Sequence, residues 1–325
     1  MAVNNKVDIK NLTKKYTMKQ MQPVLLLIIL VVCCAIFTAF NKNFMSWVNW
    51  HAILLTSVTV GIVSIGQGVC KMADYFDLSV GMVASLGGLL IAQLMSMGWS
   101  LFPALLVCIA MGVVCGLLAG LFVAYLKMNS FITTFALQSA YRGIIYIWTD
   151  GFPILMKEEQ FTFLTNLGQL KVFNAIQFPI IAMIILFVLV HLFLTYTKLG
   201  RSIFLVGGNQ KCAHICGINV TAVQIFIFIL CDVLSVLAGI LLASRMAQAT
   251  AFLGATIPME SIAVAILGGT VAGYGNMFQT FMGVLIIFVV KNGLIMMGIP
   301  DFYQYIAVGL IMFVAVLVQV ERKGR

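Results

Sequence analysis

The sequence contains very few charged residues. Only 9% of its 325 residues are Asp, Glu, Lys or Arg, whereas 62% are hydrophobic. Soluble globular domains carry about 25% charged residues and about 45–50% apolar ones. A water-soluble protein of this size has no means of covering so much apolar surface, because a folded surface needs polar groups. The composition therefore excludes a soluble domain and indicates an integral membrane protein.

The sequence also lacks the motifs of common catalytic and nucleotide-binding sites. It has no GxxxxGK[ST], HExxH or GxSxG pattern and only three histidines. The segments GGNQ (207–210) and GGT (268–270) have neither the lysine nor the strand context of a phosphate-binding loop. These absences favour a transport or channel subunit that is not an enzyme and that binds no cofactor itself.

Cysteine is present but forms no evenly spaced disulfide framework. Eight cysteines are scattered, mostly inside apolar runs, where we expect small hydrophobic side chains packed between helices. The segment CAHIC (212–216) contains metal-binding residue types. On a helix Cys212 and Cys216 share one face while His214 points away. We therefore predict no metal site there.

Long apolar runs make up most of the chain. A helix of about 20 apolar residues crosses a hydrocarbon core of about 30 Å. The first run has no small-residue cleavage site, so we interpret it as a retained span rather than a signal peptide. The predicted fold class is an all-α polytopic membrane protein of about ten transmembrane helices. The predicted spans are residues 23–40, 52–73, 80–97, 99–126, 131–149, 178–197, 223–245, 258–275, 277–298 and 302–320.

Basic residues predict how these spans are oriented. The net charge is +9, and lysines and arginines cluster before the first span and after the last. Cytoplasmic loops carry an excess of Lys and Arg, so both termini are predicted to be cytoplasmic and no nucleic-acid partner is needed. The predicted domains are a basic cytoplasmic tail (1–22) and a transmembrane domain (23–322). That domain includes an external loop (150–177) and a cytoplasmic loop (198–222).

Several ionisable side chains fall inside predicted spans. Each costs at least about 2.5–3.5 kcal/mol to insert, so such groups face protein or water. They are interpreted either as structural pairs and helix caps or as the lining of a polar route. The residues are Asp77, Arg142, Asp232, Glu260 and Lys291.

Two segments are predicted to interrupt helices at membrane depth. The first lies near residues 66–81, where Gly66, Gly68, Asp74, Asp77 and Gly81 interrupt the apolar run. Asp77 precedes a new apolar run, where its carboxylate can accept from the N–H groups of residues 79 and 80. The segment PMESIAVAILGGTVAGYG (258–275) is the second interruption. Broken helices are tolerated where they are buried in protein or line a cavity, so the pair predicts a central translocation site.

Glycines at every fourth position indicate close helix packing. Gly112, Gly116 and Gly120 share one face of the fourth span, and Gly269 and Gly273 repeat the spacing. Small residues at this spacing let two backbones approach in lipid. We interpret them as packing residues first.

Several motifs in order resemble one family. DLSVGMVASLGG (77–88), NSFITTFALQSAYRG (129–143), GRSIFLVGGNQKCAHICGINV (200–220) and PMESIAVAILGGTVAG (258–273) follow one another, and KNGLIMMGIPDFYQYIAVGLIMFVAVLV (291–318) comes last. The series resembles the permease subunit of ribose-type sugar ABC importers over roughly residues 23–322. The resemblance implies a bacterial cytoplasmic (inner) membrane location, two permease subunits in a homodimer or heterodimer, and an extracytoplasmic solute-binding protein. It also implies cytoplasmic ATPase subunits that hold ATP and Mg.

The resemblance assigns loop 198–222 as the contact with the ATPase and external loop 150–177 to the binding protein. The expected ATPase-coupling residues are Gly207, Gly208, Asn209, Lys211, Ala213, Gly217 and Asn219. The expected pathway or gate residues are Gln67, Asp77, Ser79, Arg142, Glu260 and Asn292. KCAHICG (211–217) is predicted to form a short helix that ends at its glycine and moves as a rigid body.

Three classes of function are compatible with the residues. The first is an ATP-driven importer permease for a sugar or sugar-like solute. The second is an ion-coupled secondary transporter, in which Asp77 or Glu260 would titrate during turnover. The third is a non-transporting scaffold or sensor subunit, in which the polar breaks line no pathway. The ordered motifs favour the first.

Overall fold

The structure is a computed structural model that describes residues 9–156, 162–172, 176–300, 302–306, 308–310 and 313. Most of these residues are helical. A 3₁₀ turn at Lys42–Met45 separates the first two helices. The helices are α1 (Ile9–Phe40), α2 (Trp47–Met72), α3 (Val80–Ser96), α4 (Leu101–Ala124), α5 (Ser130–Thr149), α6 (Thr162–Gln169), α7 (Phe178–Tyr196), α8 (Lys198–Gly208), α9 (Gln210–Ile215), α10 (Val220–Met246), α11 (Ile257–Leu267) and α12 (Met277–Met296).

Four two-residue strands connect the loops between helices. β1 (Ile154–Leu155) pairs antiparallel with β4 (Gln248–Ala249), so the segment after α5 is joined to the segment after α10. β2 (Lys171–Val172) pairs antiparallel with β3 (Ile176–Gln177) just before α7. The part of loop 150–177 that the structure describes is thus held against the end of α10.

α10 is the central helix of the bundle and packs against α2, α3 and α4. Glycines make this close packing feasible. A Cβ added to Gly116 would lie 2.5 Å from the Cα of Ile229, and one added to Gly120 would lie 2.8 Å from the Cα of Ile225. Gly112 approaches the same helix at Val236. The prediction that the GxxxGxxxG face of α4 is a packing surface is confirmed.

Six described helices are long and apolar enough to cross a membrane. The all-α polytopic fold is therefore confirmed, whereas the count of ten spans stays a prediction. Most of the last predicted span, 302–320, lies outside the described residues. The six are Gln22–Phe40 within α1, together with α2, α4, α7, α10 and α12.

Burial differs sharply between these helices. In the most apolar window of α2, 83% of the residues are buried, compared with 11% in that of α1. α2 therefore belongs to the core, while the Gln22–Phe40 part of α1 exposes many apolar side chains. A helix that is hydrophobic on its outward face suits contact with lipid or with another membrane helix.

The predicted eighth span, 258–275, is not one helix. α11 has 11 residues and ends at Leu267, which at 1.5 Å per residue is about 16 Å and too short to cross a membrane. Gly269 and Gly273 have positive φ angles of 73° and 70°. They lie in the turns that follow α11 and share no helix face, so that part of the prediction is wrong. Close packing is confirmed at Gly273, where an added Cβ would lie 2.8 Å from the Cα of Gly208.

Two further boundaries differ from the predicted spans. Gly66 and Gly68 lie inside α2, so the first interruption covers only residues 73–79. α1 begins at Ile9 and contains Pro23, so it extends into the segment predicted as a basic tail. A proline within a helix removes one backbone donor but does not end this helix.

Candidate functional site

The break between α2 and α3 holds a buried aspartate. Asp77 has no exposed surface. Its Oδ1 accepts hydrogen bonds from the backbone N–H of Ser79 at 2.9 Å and from the Ser79 hydroxyl at 2.6 Å. Its Oδ2 has no hydrogen-bond partner among the described residues. The carboxylate thus accepts from residue 79 just ahead of α3, and one oxygen remains available.

Side chains of α2 and α5 bind the backbone of this break. The Gln67 amide donates from Nε2 to the Asp77 carbonyl, and Gln67 Oε1 accepts from the Asp77 N–H at 3.4 Å. The hydroxyl of Thr134 accepts from the Leu78 N–H at 2.9 Å, and that of Ser130 from the Phe76 N–H at 3.3 Å. These bonds replace the helical partners that the interrupted backbone lacks, as a low-dielectric environment requires.

The two interruptions contact each other. A Cβ added to Gly81 would lie 2.8 Å from the ring of Pro258 and would overlap the carbonyl of Gly254. The Gly254 N–H in turn donates to the Ser85 hydroxyl at 2.9 Å. Leu78 packs with Ile262 and Ile266 of α11, next to Phe76. The structure thus brings together the two broken segments that the sequence identified separately.

A second buried aspartate lies close to this break. Asp232 of α10 has no exposed surface, and neither of its carboxylate oxygens has a hydrogen-bond partner among the described residues. A Cβ added to Gly66 of α2 would lie 2.8 Å from the Cα of Cys231, so the two helices touch at this level. Asp232 follows Cys231 directly, so it lies at the level where α10 meets the part of α2 that carries Gln67.

Glu260 is paired. Both of its carboxylate oxygens lie 3.1 Å from Nζ of Lys291, which joins α11 to α12. The ammonium of Lys291 also lies 5.1 Å from the centre of the Phe288 ring. The next residue, Asn292, has a buried Oδ1 with no partner among the described residues. The sequence identified both charges as intramembrane groups but did not pair them.

Arg142 lies apart from the break. It is 12 residues beyond Ser130 on α5, or about 18 Å along the helix axis at 1.5 Å per residue. Its guanidinium lies 5.8 Å from the Tyr146 ring and 5.6 Å from the Phe252 ring. The structure therefore separates this predicted pathway residue from Asp77, Ser79 and Gln67.

Loop 198–222 folds into α8 and α9. Several of the residues predicted to contact the ATPase lie at the ends of these helices or at the start of α10. The Asn209 side chain accepts from the Cys212 N–H at 3.1 Å and caps α9, and the Asn219 side chain accepts from the Ala222 N–H at 3.0 Å and caps α10. Gly217, with a φ of 79°, follows the end of α9. This is the short helix stopped by glycine that the sequence predicted.

α9 has one buried residue that contacts the bundle, and its other side chains are exposed. Ala213 is buried and holds the helix against the bundle, whereas Lys211 is exposed. Ile215 is 83% exposed, an unusual position for a large apolar side chain beside polar residues. No group of three or more His, Cys, Asp or Glu side chains in the described part of the chain could hold a metal ion.

Sequence reasoning missed three contributors to the site. Asp232 was recognised as an intramembrane charge but was not assigned to the site with Asp77, since no sequence spacing relates two distant helices. Ser130 and Thr134 were missed as well. Their signal was the cluster of hydroxyl residues at the start of an otherwise apolar span.

A polytopic bundle with paired helix interruptions and a capped helical loop between two spans defines a membrane transport subunit. A family model described as "Branched-chain amino acid transport system / permease component" matches residues 49–316. The chain belongs to this family of permease components. It is thus a multi-pass protein of the inner (cytoplasmic) membrane and not itself an enzyme.

Curated relatives resemble the chain over almost its full length. The ribose import permease protein RbsC of Bacillus subtilis (strain 168) is 34% identical over 309 residues, which cover 94% of each chain. RbsC of Escherichia coli (strain K12) is 30% identical over 96% of each chain. The L-arabinose transport system permease protein AraH of Escherichia coli (strain K12) is 32% identical, over 89% of this chain and 87% of its own. No solved structure matches the chain.

Proposed function

We propose that this chain forms the translocation pathway of an ATP-driven importer for a sugar or sugar-like solute. The observation that carries the proposal is the contact between the two interrupted segments, beside the buried aspartates, in a chain whose relatives are named ribose and arabinose permeases. A buried polar atom at such a break that has no protein partner, as Asp77 Oδ2 has none among the described residues, can contact a polar solute. The comparisons give no support to the ion-coupled alternative.

The pathway is proposed to involve Gln67, Asp77, Ser79 and Asn292. Asp77 Oδ2 and Asn292 Oδ1 are buried acceptors without partners in the described part of the chain. Sugar hydroxyls donate hydrogen bonds, so unpaired acceptors of this kind suit a sugar that passes them. Glu260 contributes through its pair with Lys291, which fixes α11 to α12. Arg142 is proposed to act away from this region, near the loop that follows β4.

Loop 198–222 is proposed as the contact with a cytoplasmic ATPase, which holds the ATP and Mg. Ile215 supplies an exposed apolar contact and Lys211 a charged one, on a helix fixed to the bundle by Ala213. This proposal places both termini in the cytoplasm and loop 150–177 outside, facing a solute-binding protein. A second permease subunit, identical or different, completes the pathway.

Co-purification tests the proposal. The full-length chain is tagged in its host, extracted in mild detergent, and its partners are identified by mass spectrometry. We expect a stoichiometric subunit with a GxxxxGK[ST] motif. The Ile215→Asp variant is expected to lose it, while the control Phe152→Asp, at an exposed position of loop 150–177, retains it. Purification of the wild-type chain without any ATPase would contradict the proposal.

A further inference from the structure

A tyrosine in the first interruption contacts the proposed ATPase-binding loop. Tyr75 lies between α2 and α3 and is buried. Its hydroxyl accepts a hydrogen bond from Nε2 of Gln210, at the start of α9, over 2.8 Å. It also accepts from Nε2 of Gln224 in α10. Gln210 and Tyr75 are far apart in sequence, so this bond is a tertiary link between the loop and the break.

The backbones next to this tyrosine are joined as well. The Gly273 N–H donates to the Met72 carbonyl, the last residue of α2, at 2.8 Å. A Cβ added to Gly207, in the last turn of α8, would overlap that same carbonyl. A Cβ added to Gly273 would lie 2.8 Å from the Cα of Gly208. The end of α8 and the turn after α11 therefore meet the end of α2, immediately before Tyr75.

Tyr75 is also only two residues from the buried aspartate. The stretch 75–79 is fixed to α2 by Gln67 and to α5 by Ser130 and Thr134. The Tyr75 ring packs on the Phe228 ring of α10, with centroids 5.9 Å apart. A displacement of α9 would therefore reach Asp77 through a short chain segment that is held at both ends.

We propose that Tyr75 is a positioning residue that transmits movement of α9 to the Asp77 break. The inference rests on the proposed function, since it takes the ATPase as the source of the movement. The Tyr75 hydroxyl accepts from both Gln210 of α9 and Gln224 of α10. When α9 shifts as a rigid element, the hydroxyl draws residues 75–79 with it and changes the surroundings of Asp77.

The experiment measures transport per ATP hydrolysed. The full chain is purified with its ATPase and reconstituted in vesicles with its binding protein, and uptake of radiolabelled ribose is divided by phosphate release. Tyr75→Phe keeps the ring on Phe228 but removes the hydroxyl. We expect this ratio to fall about tenfold while ATP hydrolysis continues, within the range of about 5–150-fold typical of coupling between sites. Tyr125→Phe, at an exposed tyrosine, is expected to leave the ratio of uptake to phosphate release unchanged.

A second variant separates coupling from folding. Gln210→Leu leaves the tyrosine in place and removes its partner on the exposed loop. If the bond transmits movement, this variant lowers the ratio as well, and the double variant loses no more than Tyr75→Phe alone. Additive losses, or equal losses of transport and ATP hydrolysis in Tyr75→Phe, would overturn the inference. The proposed function would still stand if the wild type shows ATP-driven uptake, so the two failures are distinguishable.

Discussion

At the residue scale, Asp232 is the least satisfied side chain of the site. A carboxylate with no partner loses its hydration on burial and gains no hydrogen bond in return. Asp77 differs, because Ser79 donates two hydrogen bonds to one of its oxygens. The two aspartates therefore have different roles. Asp77 shapes the start of α3, whereas Asp232 adds a polar group to a buried helix contact at an energetic cost.

We expect Asp232→Asn to raise the stability of the chain. The amide has nearly the same shape but carries no charge, so the desolvation cost falls, by about 1–3 kcal/mol. Thermal unfolding in detergent at pH 8, followed with a thiol-reactive dye, checks this, because Cys70, Cys108, Cys115 and Cys231 are buried in the folded chain. The midpoint is expected to rise by a few degrees.

The control for this prediction is Asp74→Asn. Asp74 forms an exposed pair with Lys71 at 3.4 Å, and exposed pairs contribute about 0–1 kcal/mol. Asparagine also tolerates the positive φ of 65° at this position. A lower midpoint for Asp232→Asn than for the control would show that the carboxylate has a stabilising partner after all.

The sequence was a good guide to single residues wherever local chemistry determines their role. Asp77 was predicted to accept from the N–H groups of residues 79 and 80. It accepts from that of Ser79, because an aspartate two residues earlier reaches that N–H, whereas the N-cap residue of α3 is Ser79 itself. The Glu260–Lys291 pair could not be predicted, since it depends on how α11 and α12 cross. The same holds for Asp232, whose proximity to Asp77 follows from the contact of Gly66 with α10.

At the scale of elements, α9 is the unit on which coupling depends. It has one turn and a half, capped by Asn209 and ended by Gly217 with its positive φ. Nothing lies within 4 Å of a Cβ at Gly217, so its conformation rather than its packing restricts substitution. A residue that cannot adopt the positive φ must therefore displace the end of the helix.

We expect Gly217→Pro to uncouple transport without removing the protein from the membrane. Proline fixes φ near −65° and lacks the N–H that donates to the His214 carbonyl at 2.9 Å. Sugar uptake in cells is expected to fall at least about tenfold, while immunoblots of membranes show normal amounts.

The matched variant is Gly217→Asn, because asparagine tolerates positive φ and the space is open. It is expected to retain at least half of wild-type uptake. Normal uptake in Gly217→Pro would refute the role of α9, and equal losses in both variants would show that the cause is not backbone conformation.

Most element boundaries followed from hydropathy, and the exceptions have a physical cause. α2 to α5, α7, α10 and α12 end within a few residues of the predicted spans, since apolar length fixes a membrane helix. Segment 258–275 was equally apolar yet contains a short helix and turns. Its glycines at 269 and 273 adopt positive φ, and spacing alone does not distinguish a packing glycine from a turn glycine.

At the scale of the whole molecule, the loop, the two breaks and the central helix form one connected structure. α8 and the turn after α11 meet at the end of α2, Tyr75 joins α9 to the first break, and α11 packs on that break. Composition alone predicted a membrane bundle, and the ordered motifs predicted the family. The connections themselves are tertiary and required the structure.

The most direct test of the central claim is uptake by vesicles that contain the purified chain and its ATPase. With binding protein outside and ATP inside, we expect radiolabelled ribose or arabinose to accumulate, and we expect no accumulation with a non-hydrolysable ATP analogue or with an ATPase that lacks its P-loop lysine. That result would establish an ATP-driven sugar permease. Uptake by the chain alone, driven by an ion gradient and independent of ATP, would contradict the account.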